Sequence, residues 1–189
     1  VGTVIAEDVL QAVVARCEER GIQLFSDEIY HGIVYDGIHA QTALKFSKNP
    51  IVINSFSKYY SMPGWRVGWM VVPEDLIDRC RKINRNLYLA APTPSQYAAV
   101  VAMDCHEELD KHLDRYKKNR DILMREMPKA GFDQFLLPQG AFYFYARVAD
   151  MHEDSKAFCM RMLREVGITA MPGAAFDPEN GKQYVRFSY

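Results

Sequence analysis

The stretch SFSKYYSMPGWRVGW, residues 55–69, places hydroxyl, amine and guanidinium groups in one short segment. Lys58 directly follows a serine, and Arg66 lies between Gly64 and Gly68. Serine hydroxyls and an arginine guanidinium together suit a phosphate group. The GxxxxGK[ST] order of a P-loop is absent, so Lys58 is not the lysine of that motif. A lysine amine near other cationic groups can instead form a Schiff base with an aldehyde.

The segments around this stretch alternate between helical and strand patterns, which is typical of an α/β domain. Between Ala6 and Arg20, apolar residues recur on one helical face, and the pattern predicts a helix. IQLFSDEIY, residues 22–30, predicts a short buried strand. IVINSF, residues 51–56, predicts a second strand, and VGWMVVP, residues 67–73, predicts a third.

Polar residues follow the apolar part of two of these predicted strands. Asp27 ends the first strand, and Ser55 through Lys58 follow the second. Because ligands of α/β domains gather at the carboxyl ends of strands, we expect one site there. An aspartate can keep a ring nitrogen protonated. An aldehyde for the lysine, a phosphate and a basic ring nitrogen are combined in pyridoxal 5'-phosphate (PLP).

The rest of the chain predicts further helices and then a small α+β subdomain. The predicted helices are residues 74–89, 92–105, 107–127 and 155–166, and the predicted strands are residues 138–148 and 183–189. From this order we predict three parts. They are residues 1–105, the C-terminal part of a large cofactor-binding domain; residues 106–127, a connecting helix; and residues 128–189, an incomplete small subdomain.

Composition and charge indicate an ordinary globular protein. The formal net charge of -1 gives no reason to expect nucleic acid or an anionic membrane as a partner. Apolar runs are shorter than a membrane span, and the four cysteines contain no CxxC pair. The histidines and cysteines lack the spacing of a metal site. We therefore expect a cytoplasmic protein without a bound metal.

Five parts of the sequence, in order, resemble the class I/II aminotransferases, the PLP-dependent enzymes of fold type I in the aspartate aminotransferase superfamily. They are GTVIAEDVLQAVVARCEERGI (2–22), SDEIY (26–30), SFSKYYSMPGWRVG (55–68), PQGAFY with MPGAAF (138–143 and 171–176) and YVRFS (184–188). The resemblance covers the whole chain. It implies part of a three-layer α/β/α large domain followed by a small α+β C-terminal subdomain.

The resemblance also implies a role for individual residues. Lys58 would hold the cofactor as a Schiff base and, once the substrate replaces it, move a proton between the reacting carbons. Asp27 would pair with the protonated pyridine nitrogen, and Tyr30 would hydrogen-bond the phenolic oxygen of the ring. The remaining roles are phosphate binding by Ser55, Ser57 and Arg66, and binding of the substrate α-carboxylate by Arg186.

The chain also departs from the family pattern. Family members are considerably longer, and the chain begins with Val1, just after the point where the family has an Asn-Pro-Thr-Gly turn. We expect a fragment that lacks the N-terminal half and the C-terminal end. Ala6 stands where proline is frequent, and Asp177 stands where glycine is frequent. A homodimer is expected, because the family builds its active site at the subunit interface.

Three functions are compatible with these residues. The first is transamination between an amino acid and a 2-oxo acid, with aspartate and aromatic amino acids as the first substrates to test. The second is a PLP-dependent carbon–sulfur β-lyase, which would use the same Lys58, Asp27 and Arg186. The third is an inactive truncated chain that persists as a binding or assembly module. The lyase is distinguished by release of pyruvate and ammonia without a 2-oxo acid acceptor.

Overall fold

The computed structural model describes residues 2–148 and 154–189, and it divides the chain into two units. The N-terminal unit is Val4–His112. The C-terminal unit combines residues 2–3 with Leu113–Tyr189. Each unit contains a three-stranded sheet and helices, so the predicted mixed α/β class is confirmed. The domain boundaries predicted at residues 105 and 127 stay a prediction.

The sheet of the N-terminal unit joins two parallel strands and one antiparallel strand. Its strands are β1 (Phe25–Asp27), β2 (Ile51–Ser55) and β3 (Gly68–Val71), with β2 in the centre. Strand β1 runs parallel to β2, and Asp27 lies opposite Ile53. Strand β3 runs antiparallel to β2, and Gly68 lies opposite Ser55. The carboxyl ends of β1 and β2 therefore meet at the same edge of the sheet.

The first helix covers one side of this sheet through a narrow stripe. The helices of the unit are α1 (Glu7–Glu19), α2 (Ile77–Leu87) and α3 (Thr93–Ala102), as the sequence predicted to within a few residues. Leu10 and Val14, one turn apart, pack with Val52 of β2 in a buried cluster. Val9 and Val13 belong to the same apolar pattern that predicted the helix, but both are exposed. Only the Leu10–Val14 stripe is therefore covered within this unit.

Strand β1 is not the buried strand that its apolar sequence predicted. Phe25 is 63% exposed, and Asp27 is also exposed. All four residues of β3 are exposed as well. The physical reason is that β1 and β3 are the two edge strands of a three-stranded sheet, so each has a neighbour on one side only.

The C-terminal unit is built on an antiparallel sheet. Helix α4 (His106–Glu126) begins in the N-terminal unit and continues into the C-terminal unit. The other elements of the C-terminal unit are β4 (Tyr143–Arg147), α5 (Ser155–Val166), β5 (Met171–Pro172) and β6 (Tyr184–Ser188). Strand β6 lies between β4 and β5 and pairs antiparallel with both. Phe144 and Val185 are fully buried and form the core with Phe158 of α5. Alternate residues of β4 are buried, as the sequence predicted for this strand.

Helix α5 has the bounds that its sequence predicts, because local signals fix both ends. The Asp154 carboxylate accepts hydrogen bonds from the backbone N–H groups of Lys156 (2.9 Å) and Ala157 (3.0 Å). These backbone hydrogen bonds, with smaller contributions from nearby lysines, lower the pKa of Asp154. Gly167 ends the helix at φ 70°, a conformation that glycine adopts readily.

The described helices differ from membrane spans in composition. None of the helices in residues 2–148 and 154–189 combines the length and the apolar character that crossing a membrane requires. The four cysteines are free thiols, and only Cys159 is fully buried. Burial raises the pKa of the Cys159 thiol, which packs in the core of the C-terminal unit as a small apolar residue.

Candidate active site

The carboxyl edge of β1 and β2 carries the residues that the sequence grouped into one site. Asp27 ends β1 and Ser55 ends β2. The Asp27 carboxylate accepts a hydrogen bond from the backbone N–H of Ile29 at 3.3 Å, which orients it at the start of the following turn. Its exposure leaves the carboxylate accessible to a ligand in this unit.

Lys58 and Tyr30 come together from the loops that follow these two strands. The Lys58 Nζ atom lies 5.7 Å from the centroid of the Tyr30 ring, within the range of a cation–π contact. Both side chains are half-buried. The turn that carries Lys58 is closed by a backbone hydrogen bond from Ser61 N–H to the Lys58 carbonyl, at 3.0 Å. The predicted lysine therefore lies beside the residue predicted to bind the ring oxygen.

The two serines predicted to bind phosphate contact each other, and the predicted arginine lies on a segment whose backbone pairs with theirs. The Oγ atoms of Ser55 and Ser57 are 2.9 Å apart, and the backbone N–H of Ser57 donates to Ser55 Oγ at 3.1 Å. The backbone next to Arg66 pairs with the serine segment, because Phe56 N–H donates to the carbonyl of Val67 at 3.2 Å. Arg66 has φ 53°, and its Nη1 donates to the carbonyl of Pro63 at 3.0 Å. A guanidinium retains further N–H donors after this bond.

The two glycines around Arg66 have different roles. A Cβ atom on Gly68 would lie 2.7 Å from the carbonyl oxygen of Asn54, so only glycine permits this close pairing with β2. A Cβ atom on Gly64 would meet no atom within 4 Å. Of these two glycines, Gly68 is therefore the one that close packing of the protein backbone requires.

Aromatic side chains pack around the turn that carries Lys58. Phe56 is buried, and its ring centroid lies 4.7 Å from that of Tyr60 and 5.1 Å from that of Trp69. The Tyr59 hydroxyl donates to Asp110 at 3.4 Å. Burial, and then the negative charge of Asp110, raise the pKa of Tyr59. A Cβ on Gly32 would lie 2.7 Å from the Tyr59 ring, so this ring is in close contact with the Tyr30 turn.

Arg186 lies in the C-terminal unit, on the central strand β6. Its guanidinium carbon is 4.2 Å from the centroid of the Tyr143 ring and 4.3 Å from that of Phe176. Its Nε atom is buried, and among the described residues it has no hydrogen-bond partner. The sequence placed Tyr143 on a strand without a role, and Phe176 only within a motif.

The sequence missed Glu28, a carboxylate at the centre of a buried network next to Asp27. Glu28 is 4% exposed. Its Oε1 accepts hydrogen bonds from Ser26 Oγ (3.0 Å), Thr42 Oγ1 (3.1 Å) and the Ala43 backbone N–H (2.9 Å). Its Oε2 lies 3.3 Å from His31 Nδ1. This network ties the turn between Asp27 and Tyr30 to the distant segment at residues 42–43.

The substitution Glu28→Ala is expected to lower the free energy of unfolding by about 3 kcal/mol. It removes the acceptor of a fully buried backbone N–H, that of Ala43, and of two hydroxyl groups. The loss is measured by urea denaturation of the two proteins side by side.

Glu7→Ala is the matched control for Glu28→Ala. Glu7 forms an exposed ion pair with Lys45 at 2.7 Å, so its loss is expected to change stability by about 0.5 kcal/mol or less. Equal effects of the two substitutions would contradict the structural role of the Glu28 network.

Metal ligands are not grouped in the described parts of the chain. Within residues 2–148 and 154–189, no three His, Cys, Asp or Glu side chains lie close enough together to hold a metal ion. His31 lies next to Glu28 in the network described above. We use the name Lys58 cluster for Asp27, Tyr30, Ser55, Ser57, Lys58 and Arg66.

Comparison with known proteins agrees with the motifs of this cluster. The sequence model of the family "Aminotransferase class I and II" matches residues 1–189. The chain therefore belongs to the class I and II aminotransferases, a PLP-dependent family. The predicted family and the predicted PLP-transferase fold class are confirmed.

Individual aminotransferases are similar to this chain along about half of their own length. The chain is 40% identical to the valine–pyruvate aminotransferase of Mycobacterium tuberculosis over 191 residues, covering 100% of this chain and 49% of the relative. It is 31% identical to the aspartate aminotransferase of Sulfolobus acidocaldarius over 195 residues, covering 100% and 48%. The crystal structure of an aminotransferase from Mycobacterium tuberculosis matches with a TM-score of 0.95 at 41% identity, again covering 100% of this chain and 49% of that one. The chain thus spans about half the length of the curated relatives it matches.

Proposed function

We propose that the complete gene product transfers an amino group between an amino acid and a 2-oxo acid with PLP as cofactor. The observation that carries this proposal is the position of Lys58 Nζ over the Tyr30 ring, beside the strand ends that carry Asp27 and Ser55. Family membership and the names of the relatives support it. These aminotransferase names do not favour the carbon–sulfur β-lyase.

The polar groups of the N-terminal unit have the chemistry that PLP requires. The hydroxyls of Ser55 and Ser57 and the guanidinium of Arg66 suit a phosphate dianion. The Lys58 amine suits an aldehyde, and the Asp27 carboxylate suits a protonated ring nitrogen. When bound, PLP supplies an aldehyde for a Schiff base and a protonated ring that stabilises negative charge developing on the substrate Cα.

We assign each residue one task in the reaction. Asp27 would keep the ring nitrogen protonated, and the Tyr30 hydroxyl would donate to the ring oxygen. The Lys58 amine would attach the cofactor and would then take up and release the proton that leaves the substrate Cα. The other tasks are phosphate binding by Ser55, Ser57 and Arg66, and binding of the substrate α-carboxylate by Arg186.

The proposed substrates follow from the expected classes and from the relatives. Aspartate and aromatic amino acids are the first donors to test, and a relative's name adds the pair valine and pyruvate. We also propose that the protein works as a homodimer in the cytoplasm, where its four free cysteines would stay reduced.

Product analysis tests this function. The complete gene product, loaded with PLP, is incubated with aspartate, phenylalanine or valine and with 2-oxoglutarate or pyruvate as acceptor. Conversion of a donor into its 2-oxo acid, with equimolar conversion of the acceptor into its amino acid, is expected for at least one pair. Release of pyruvate and ammonia from a cysteine conjugate without an acceptor would show a β-lyase instead, and no turnover with any pair would contradict both.

A further inference from the structure

The guanidinium of Arg186 contacts two aromatic rings. Tyr143 and Phe176 both lie within 4.3 Å of it, measured from the guanidinium carbon to each ring centroid. The Nε atom is inaccessible to water and has no acceptor among residues 2–148 and 154–189. Removing a cation partly from water costs free energy when it has no carboxylate partner, and binding of an anion offsets that cost.

The sheet fixes the position of the first ring. Arg186 lies directly opposite Tyr145 on β4, and Tyr143 is two residues along the same strand. Side chains two residues apart on a strand point to the same face, so Tyr143 is the diagonal neighbour of Arg186. This face is opposite to the one that carries the buried Phe144 and Val185.

A rigid turn fixes the position of the second ring. Phe176 N–H donates to the carbonyl of Gly173 at 2.9 Å, and Asp177 N–H donates to the same carbonyl at 3.0 Å. A Cβ atom on Gly173 would lie 2.5 Å from the carbonyl of Gly181, so the turn packs directly on the backbone before β6. The Asp177 carboxylate accepts from the backbone N–H of Asn180 at 3.0 Å, and this bond lowers the pKa of Asp177. Both rings therefore sit on ordered backbone.

We propose that Tyr143 and Phe176 are positioning residues that hold the Arg186 guanidinium for the substrate carboxylate. Ring contacts stabilise the cation and restrict its rotation, which lowers the cost of ordering a long side chain when a carboxylate binds. With Nε buried, the carboxylate binds through the terminal nitrogens, in the plane of the guanidinium. This inference rests on the proposed function, in which Arg186 binds the α-carboxylate.

The substitutions Tyr143→Leu and Phe176→Leu are each expected to raise KM about tenfold for the amino acid and for the 2-oxo acid. Loss of binding that is equal in the ground state and the transition state raises KM and leaves kcat within about twofold. Affinity for PLP, followed by its visible absorption band, is expected to stay unchanged. The measurements use the complete gene product loaded with PLP.

Ring-retaining variants and a matched control separate positioning from general damage to the fold. Tyr143→Phe and Phe176→Tyr keep the rings and are expected to keep KM within about twofold of the wild type. Tyr184→Leu removes a ring from the strand of Arg186, but that ring stacks on Tyr145 at 5.0 Å, so KM is expected to stay unchanged. If a leucine variant fails to fold, Tyr143→Met or Phe176→Met is measured in its place.

A binding measurement adds a readout that does not depend on turnover. Calorimetric titration with 3-phenylpropionate, a carboxylate without an amino group, is expected to give about tenfold weaker binding in the leucine variants. The uncharged 3-phenylpropionamide should bind wild type and variants alike. If the wild type transaminates but the leucine or methionine variants keep its KM and its carboxylate affinity, the positioning role is wrong and the proposed function stands. If the wild type neither transaminates nor binds PLP, the proposed function fails, and this inference fails with it.

Discussion

Replacing Lys58 with alanine is expected to lower kcat/KM for transamination by at least about 10⁴-fold. In the proposed reaction the amine supplies both the covalent attachment and the proton transfer, and the turn at residues 55–61 contains no other lysine. Steady-state kinetics with the best donor and acceptor measure the loss. The phosphate-binding residues remain, so non-covalent binding of PLP should persist without the visible band of a Schiff base.

Lys48→Ala is the matched control for this substitution. Lys48 is an exposed lysine of the same unit, before β2 rather than after it. Its loss is expected to leave kcat/KM unchanged within about twofold. Turnover by Lys58→Ala at more than a hundredth of the wild-type rate would contradict the assigned role.

Replacing Asp27 with asparagine is expected to lower kcat by about 10³-fold while PLP still binds. The amide keeps the size of the side chain but removes the negative charge that holds a proton on the ring nitrogen. Its exposed position at the end of β1 means that the substitution disturbs little packing. Single-turnover kinetics measure the loss, because the affected step is removal of the Cα proton.

Asp75→Asn provides the comparison for Asp27→Asn. Asp75 is an exposed aspartate in the short turn before α2, and its change to asparagine should leave kcat within about twofold of the wild type. A variant with Asp27→Asn that keeps more than a tenth of kcat would show that this carboxylate does not serve the ring nitrogen.

Local sequence signals were sufficient for most elements of the fold. Helix α5 was predicted at its observed bounds from its helical pattern and from Gly167, which follows its last residue. The strands β2, β3, β4 and β6 were likewise predicted from apolar or alternating runs. The two-residue strand β5 was missed, since Met171–Pro172 is too short to show a period.

Burial was less predictable than secondary structure. The apolar run around Phe25 identifies a strand but does not say whether chain covers both of its faces, and Phe25 is exposed. The same holds for Val9 and Val13 on α1. Burial depends on contacts between distant segments, whereas periodicity reports only on the segment itself.

The candidate site divides in the same way. The motif residues around Lys58 could be named from the sequence, since they lie within twelve positions between Ser55 and Arg66. The role of Glu28 could not, because two of its partners are 14 and 15 residues away, at positions 42 and 43. The contact of Phe176 with Arg186 depends on the turn before β6 and on the sheet register, which no local pattern reveals.

The most direct test of the account is the covalent attachment of PLP to Lys58. The complete gene product is incubated with PLP, reduced with borohydride, which converts a lysine Schiff base into a stable amine, and digested for mass spectrometry. One dominant adduct is expected, on the peptide that contains Lys58, and it should be lost in Lys58→Ala. Adducts spread over exposed lysines such as Lys48, with Lys58 unmodified, would contradict the assignment of this cluster as the cofactor site.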